Sequence, residues 1–141
     1  METTKTMVQI SALLNVSLEH AWTVFTSPAH ITEWNFASED WICPTASNDL
    51  RVGGKFTSRM EARDGSMGFD FEGEYTAIEP MKKLEYALAD GRKVAVTFST
   101  QENGVLVEES FEPENMHPVE FQQAGWQAIL NQYKKHAESI A

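Results

Sequence analysis

Three dipeptides constrain the fold of this chain more than any other feature. Asp64-Gly65, Asp90-Gly91 and Asn103-Gly104 each fall between runs in which polar and apolar residues alternate. Such pairs supply the positive-φ positions of tight hairpin turns, so each predicts two adjacent antiparallel strands. The alternation is clearest in Phe69-Asp70-Phe71-Glu72-Gly73-Glu74-Tyr75, where acidic residues point to water and Phe69, Phe71 and Tyr75 point inward, toward a covering helix. In Phe56-Thr57-Ser58-Arg59-Met60 the even positions are the less polar ones. Leu84 to Leu88 reads as a further strand. Val94, Val96 and Phe98 line one face of the next, and Val105, Val107 and Phe111 one face of the last. The result is an antiparallel meander.

The flanks are helical. Thr6 to Asn15 reads as a first strand, then Ser17 as an N-cap before Leu18, Ala21, Trp22 and Phe25 at helical spacing. Pro28 can open a second short helix, to about Trp34. Asn35 to Asn48 shows no period and reads as a long loop. After the strands, Pro118 fits the first position of a long helix that continues past Gly125. Its inward face takes Val119, Gln122, Trp126, Ile129 or Leu130, Tyr133, Ala137 and Ile140. The fold class is therefore α+β: one strand, two short helices, about six strands and one long C-terminal helix. That helix is the only large element left to cover the apolar face of a curved sheet.

Composition excludes several functions. The 141 residues suit one domain, 1–141, with a core large enough to need no staple. A net charge of −10 with only scattered basic pairs argues against nucleic-acid binding. No apolar run approaches the length of a membrane span, and Met1 to Ile10 lacks the apolar stretch of a signal peptide. A cytoplasmic location is expected. One cysteine, Cys43, and four unpaired-looking histidines predict neither a disulfide nor a metal site, and no cofactor motif is present. Cys43 reads as a small packing residue. Gly53-Gly54 precedes a strand, not a helix, so it reads as a bend and not a phosphate cradle.

In family order the chain carries Ala21-Trp22 with Trp34 downstream, Asp49-Leu50-Arg51-Val52-Gly53-Gly54, Gly73-Glu74-Tyr75 with Glu79-Pro80, and Gly125-Trp126 with Leu130. Together these resemble the START-like (SRPBCC) superfamily, in the branch of the C-terminal domain of the activator of heat-shock-protein-ninety ATPase. The resemblance implies a helix-grip fold with a cavity between sheet and long helix. That superfamily holds lipid carriers, hormone receptors, polyketide cyclases and co-chaperone domains. The eukaryotic activators carry an additional N-terminal domain that contributes to chaperone binding. A chain of this length resembles the stand-alone bacterial members.

Candidate ligand-binding residues are Trp34, Phe36, Trp41, Phe56, Phe71, Tyr75, Tyr86, Phe98, Glu109, Trp126 and Ile129. The aromatics read either as a cavity lining or as a filled core. Trp34, Phe36 and Trp41 form a lid over the cavity mouth or a plug in the open end of the sheet. Glu109 faces inward if alternation with Val105, Val107 and Phe111 is strict, and would then be a buried carboxylate with a raised pKa or a partner. A bulge would instead leave it in water. Arg51 and Arg59 are its nominal partners. Three functions follow: a binding or carrier protein for a small apolar or amphipathic ligand, a cyclase- or hydrolase-like enzyme using Glu109 with Tyr75 or Tyr86, or an interaction module with a chaperone as partner. The first is expected, because the chain supplies an apolar lining and no recognisable catalytic set.

Overall fold

The computed structural model describes residues 7–141. In chain order the elements are β1 (Val8–Leu14), α1 (Leu18–Thr26), α2 (Pro28–Trp34), β2 (Trp41–Asn48), β3 (Lys55–Ala62), β4 (Gly68–Glu79), β5 (Lys83–Leu88), β6 (Lys93–Gln101), β7 (Gly104–Phe111) and α3 (Val119–Ser139). The strands make one curled antiparallel sheet in the order β1-β7-β6-β5-β4-β3-β2. Strands β2 to β7 form a continuous meander, and β1 closes the far side against β7. This is the α+β helix-grip arrangement. The expected start of the first strand, Thr6, lies outside the described residues.

Turn chemistry acts where the sequence places it. Gly65 and Gly91 adopt φ of +79° and +91° in the β3–β4 and β5–β6 turns, a region that glycine enters without steric penalty. Ser17 caps α1, its Oγ accepting from the His20 N–H at 3.1 Å. Pro28 opens α2.

Helix α3 is about 31 Å long at 1.5 Å per residue. It runs along β1 and against α1 and α2, and passes Gly125 unbroken. Two contacts fix it. Trp126 stacks on Phe111 of β7, with centroids 4.0 Å apart and planes 9° apart. Tyr133 is fully buried among Phe25 and Trp34, and its hydroxyl donates to the Ala21 carbonyl at 2.6 Å. The helix thus covers the β1–β7 side of the sheet closely and β3–β5 only through long side chains.

Several expectations are corrected. Asn35 to Asn48 is not all loop, because Trp41–Asn48 is strand β2. Its period is hidden by a bulge between Ile42 and Thr45, which absorbs Cys43 and Pro44. Proline is tolerated there because β2 is an edge strand. Pro118 flanks α3 as its cap, and the helix begins at Val119. Val119 and Ile140, expected on the buried face, are exposed, Val119 as the first residue of α3 and Ile140 as its C-cap. Asp70, Glu72 and Glu74 are exposed as expected, but Phe69 is not covered by the helix. It is 49% exposed and packs edge-on against Trp41 at the sheet margin.

The Tyr133 hydroxyl bond predicts that Tyr133→Phe lowers unfolding free energy by about 1 kcal/mol with no change of fold. Urea denaturation would measure this. An unshifted midpoint would show that packing alone holds α3 on α1.

Candidate ligand-binding cavity

A cavity of about 110 Å³ lies between the concave face of the sheet and helices α2 and α3, open to solvent on one side. Pairing register explains which side chains reach it. Directly opposed residues on antiparallel strands point to the same face. Phe56 opposes Gly73 and Ser58 opposes Phe71, while Tyr75 opposes Tyr86. This sets Phe56 and Ser58 of β3, Phe71 and Tyr75 of β4 and Tyr86 of β5 on one wall. Glu109 opposes Val96 and Ile10, both buried, so β7 also turns it inward. Trp126, Ile129 and Leu130 of α3 form the roof. Phe25, Ile31 and Trp34 close the end beneath α1 and α2.

Glycine makes room for one of these rings. A Cβ at Gly73 would stand 2.6 Å from two ring carbons of Phe56, so the ring can lie flat against β4 only because position 73 has no side chain. Phe56 is then the hub of the aromatic wall. Its centroid is 4.9 Å from Tyr86, 5.4 Å from Tyr75 and 6.0 Å from Phe71. Phe71 in turn meets Trp126 at 6.2 Å.

The polar groups differ in how they are satisfied. The Tyr75 hydroxyl donates to Asn48 Oδ1 at 2.7 Å, and Asn48 Nδ2 donates to the Thr26 carbonyl at 2.6 Å. The Arg51–Gly54 turn holds Tyr75 by its backbone as well, through Gly53 N–H to the Tyr75 carbonyl and Tyr75 N–H to the Gly54 carbonyl. Burial pushes the Tyr75 phenol up to about 12. Glu109 is only 8% exposed, and burial pushes its carboxyl up to about 8. Burial also raises the Tyr86 phenol well above its ordinary value, helped by the charges of Glu109 and Tyr75. Among the described residues neither Glu109 nor the Tyr86 hydroxyl has a hydrogen-bond partner. No fully enclosed side-chain nitrogen or oxygen there lacks a partner, so these atoms open onto the cavity.

A family model described as Activator of Hsp90 ATPase homolog 1-like protein matches residues 15–138. The chain belongs to that family. Its fold is close to that of the AHSA1-like protein from Aeromonas hydrophila, 39% identical, with a TM-score of 0.91 over 96% of this chain and 94% of that one. A protein from Cytophaga hutchinsonii is 43% identical, with a TM-score of 0.79 over 96% and 93%. A protein from Chromobacterium violaceum shares the fold at 20% identity, with a TM-score of 0.84 over 94% and 98%. A search of curated proteins finds no match.

In this AHSA1-like protein the cavity gathers Trp34, Phe56, Phe71, Tyr75, Tyr86, Glu109, Trp126 and Ile129 from the sequence-predicted set. It leaves out three. Phe98 is buried in the core against Trp22 and Phe25. Trp41 begins β2 and packs on Phe69. Phe36 is half-buried beyond α2 and does not reach the wall. Trp34 is no lid residue, because it ends α2 with its indole N–H donating to the Val24 carbonyl at 2.9 Å. Neither arginine partners Glu109. Arg59 pairs with Glu61 and Asp70, and Arg51 with Asp49, all on the surface.

Sequence reasoning missed Phe25, Ile31, Asn35, Ser47, Asn48, Ser58 and Leu130. Ser58 carried a signal, since it shares the inward parity of Phe56 and Met60. Asn48 carried none, because its bond to Tyr75 spans 27 positions and the bulge in β2 hides the strand's period. The histidines do meet in one place, His30 Nδ1 with His136 Nε2 at 3.2 Å. Partial burial, and then His30, hold His136 below its ordinary value. No group of three potential metal ligands forms among the described residues. Cys43 is buried and its thiol is raised by burial, as a packing residue requires.

Glu109 makes stability depend on pH in a definite direction. In the unfolded chain its pKa is ordinary, about 4.5, and in the fold it is about 8. Below 4.5 both states hold the proton. As pH rises, the unfolded chain gives it up first, so stability falls until about pH 8 and then levels. Glu109→Gln removes this loss, and the variant should exceed the parent by about 5 kcal/mol above pH 8 while nearly matching it at acid pH. Urea titrations across that range would test it. Parallel pH profiles for the two proteins would place the carboxyl in water instead.

Proposed function

We propose that this protein binds and carries a small apolar or amphipathic molecule in the cavity beneath α3. The observation that carries the reading is a lined space of about 110 Å³ with an aromatic wall and polar groups left unpaired inside it. An apolar cavity of about 150 Å³ is enough for a benzene molecule. The present one is smaller but open on one side, so a ligand can fill it and extend through the mouth. Ligand pockets are built in this way, with an apolar lining and a few placed polar groups. The cyclase or hydrolase reading has less support, since the Tyr75 proton is committed to Asn48 and burial keeps Tyr86 protonated.

Benzyl alcohol is a suitable first probe, with Trp34 and Trp126 as fluorescent reporters in the wall. Ile129→Trp enlarges a half-buried roof residue and fills the space. It should weaken binding at least tenfold, about 1.4 kcal/mol, while shifting the melting temperature by only a few degrees. Undiminished binding by that variant would place the probe elsewhere and remove the support for a carrier.

A second reading, docking to a chaperone, draws on the family and on exposed Met116, Val119 and Phe121 around the start of α3, off the cavity wall. Clusters of exposed apolar side chains mark interaction surfaces. Phe121→Ser would leave probe binding unchanged and abolish any stimulation of a heat-shock-protein-ninety ATPase. Equal stimulation by both proteins would remove Phe121 from that role.

A further inference from the structure

We infer that the cavity is a receptor for a small organic cation, a primary ammonium on an aromatic or branched aliphatic body, held between the Glu109 carboxyl and the Phe56-centred aromatic cluster. This rests on the ligand-binding reading above. Three features of the wall point to the charge of the ligand. First, Glu109 and Tyr86 are 8% and 7% exposed, face the space and have no partner among the described residues. A buried carboxyl without a partner is costly, and a glutamine would serve a neutral ligand at less cost. Second, three neighbouring pairs of rings stand nearly perpendicular, Phe56 to Tyr86 at 81°, Tyr75 to Tyr86 at 86° and Phe71 to Trp126 at 77°, while Phe56 is tilted by 46° and 47° to Phe71 and Tyr75. A group enclosed by such rings meets ring faces as well as edges, and faces attract cations. Third, no lysine, arginine or histidine among the described residues lines the space, so an anionic ligand finds no counter-charge there. The chain's net charge of −10 favours the approach of a cation.

The proton balance follows from the surroundings of Glu109. The titratable groups that share its wall are Tyr86 on β5 and Tyr75 on β4. Beside it β1 and β6 present Ile10 and Val96, and α3 presents Trp126, Ile129 and Leu130. The Tyr133 hydroxyl is taken by the Ala21 carbonyl. Among the described residues no donor is bonded to this carboxyl, and burial raises its pKa, so Glu109 holds its proton at neutral pH. When an ammonium enters, the carboxyl proton leaves to the buffer and a carboxylate–ammonium pair remains. Binding therefore releases nearly one proton at neutral pH. Affinity rises by up to tenfold per pH unit until about pH 8 and then flattens.

Calorimetric titration with benzylamine, benzyl alcohol and benzoate tests this, since the three share a ring and differ in charge. Slightly above pH 8 benzylamine should bind at least tenfold more tightly than benzyl alcohol, with benzoate weakest. Repeating the neutral titration in two buffers of different ionisation enthalpy should show proton release. Glu109→Gln, whose folding is checked by its melting curve, should lose the preference for the amine and keep binding of the alcohol. Equal affinity for amine and alcohol at every pH would overturn the cation inference and leave the carrier reading standing. A preference retained by Glu109→Gln would also overturn it. Failure of all three probes to bind would remove both readings.

Discussion

The structure depends on a mismatch of areas. A seven-stranded curled sheet offers a wide concave face, and the chain supplies one long helix to cover it. Helix α3 settles where its contacts are best, with Trp126 stacked on Phe111 and Tyr133 locked under α1. Stacked aromatic pairs contribute about 0.5–1.5 kcal/mol beyond the area they bury, so this edge is held firmly. The β3–β5 half must then be covered by side chains alone. Phe56, Phe71, Tyr75 and Tyr86 reach up from the sheet, but rings joined edge to face do not fill space as aliphatic chains do. The cavity is what remains.

That geometry also explains why one carboxyl is kept in an apolar wall. Glu109 sits on the central part of β7 between Ile10 and Val96, where a valine would pack more cheaply. The other acids of the same hairpin take the ordinary course: Glu108 is exposed, and Glu112 caps the Lys93 N–H at 2.7 Å. Glu109 alone gives up solvation for a position facing the space. A buried carboxyl with no hydrogen-bond partner among the described residues is best explained by what enters the cavity.

How far the sequence could be read tracks the range of each interaction. Local chemistry was legible: the Asp-Gly and Asn-Gly turns, the Ser17 cap, the alternation of Asp70, Glu72 and Glu74, and the helical spacing after Pro118 all act within a few residues. So was most of the wall, because inward parity on a strand can be counted. The failures come where two distant segments decide. Whether Phe98 or Phe71 meets the cavity is set by where α1 lies, and Trp22 and Phe25 bury the former. Strand β2 was lost because its bulge at Cys43 and Pro44 erases the period that would have announced it.

Glu109 shows the limit most clearly. Period two allowed it to face either way, since a single bulge in β7 would have reversed it. What decides is that β7 pairs without a break on both sides, from Val94 with Phe111 to Gln101 with Gly104, and from Val8 with Phe111 to Leu14 with Val105. Bulges in this sheet occur in β2 and between Tyr75 and Ala77 of β4. Both lie toward the β2 side of the sheet, away from β7. A strand held in register by two neighbours has no slack to rotate one residue outward. The inward carboxyl is thus a property of the whole β1-β7-β6 ladder, written in three segments that lie up to a hundred residues apart.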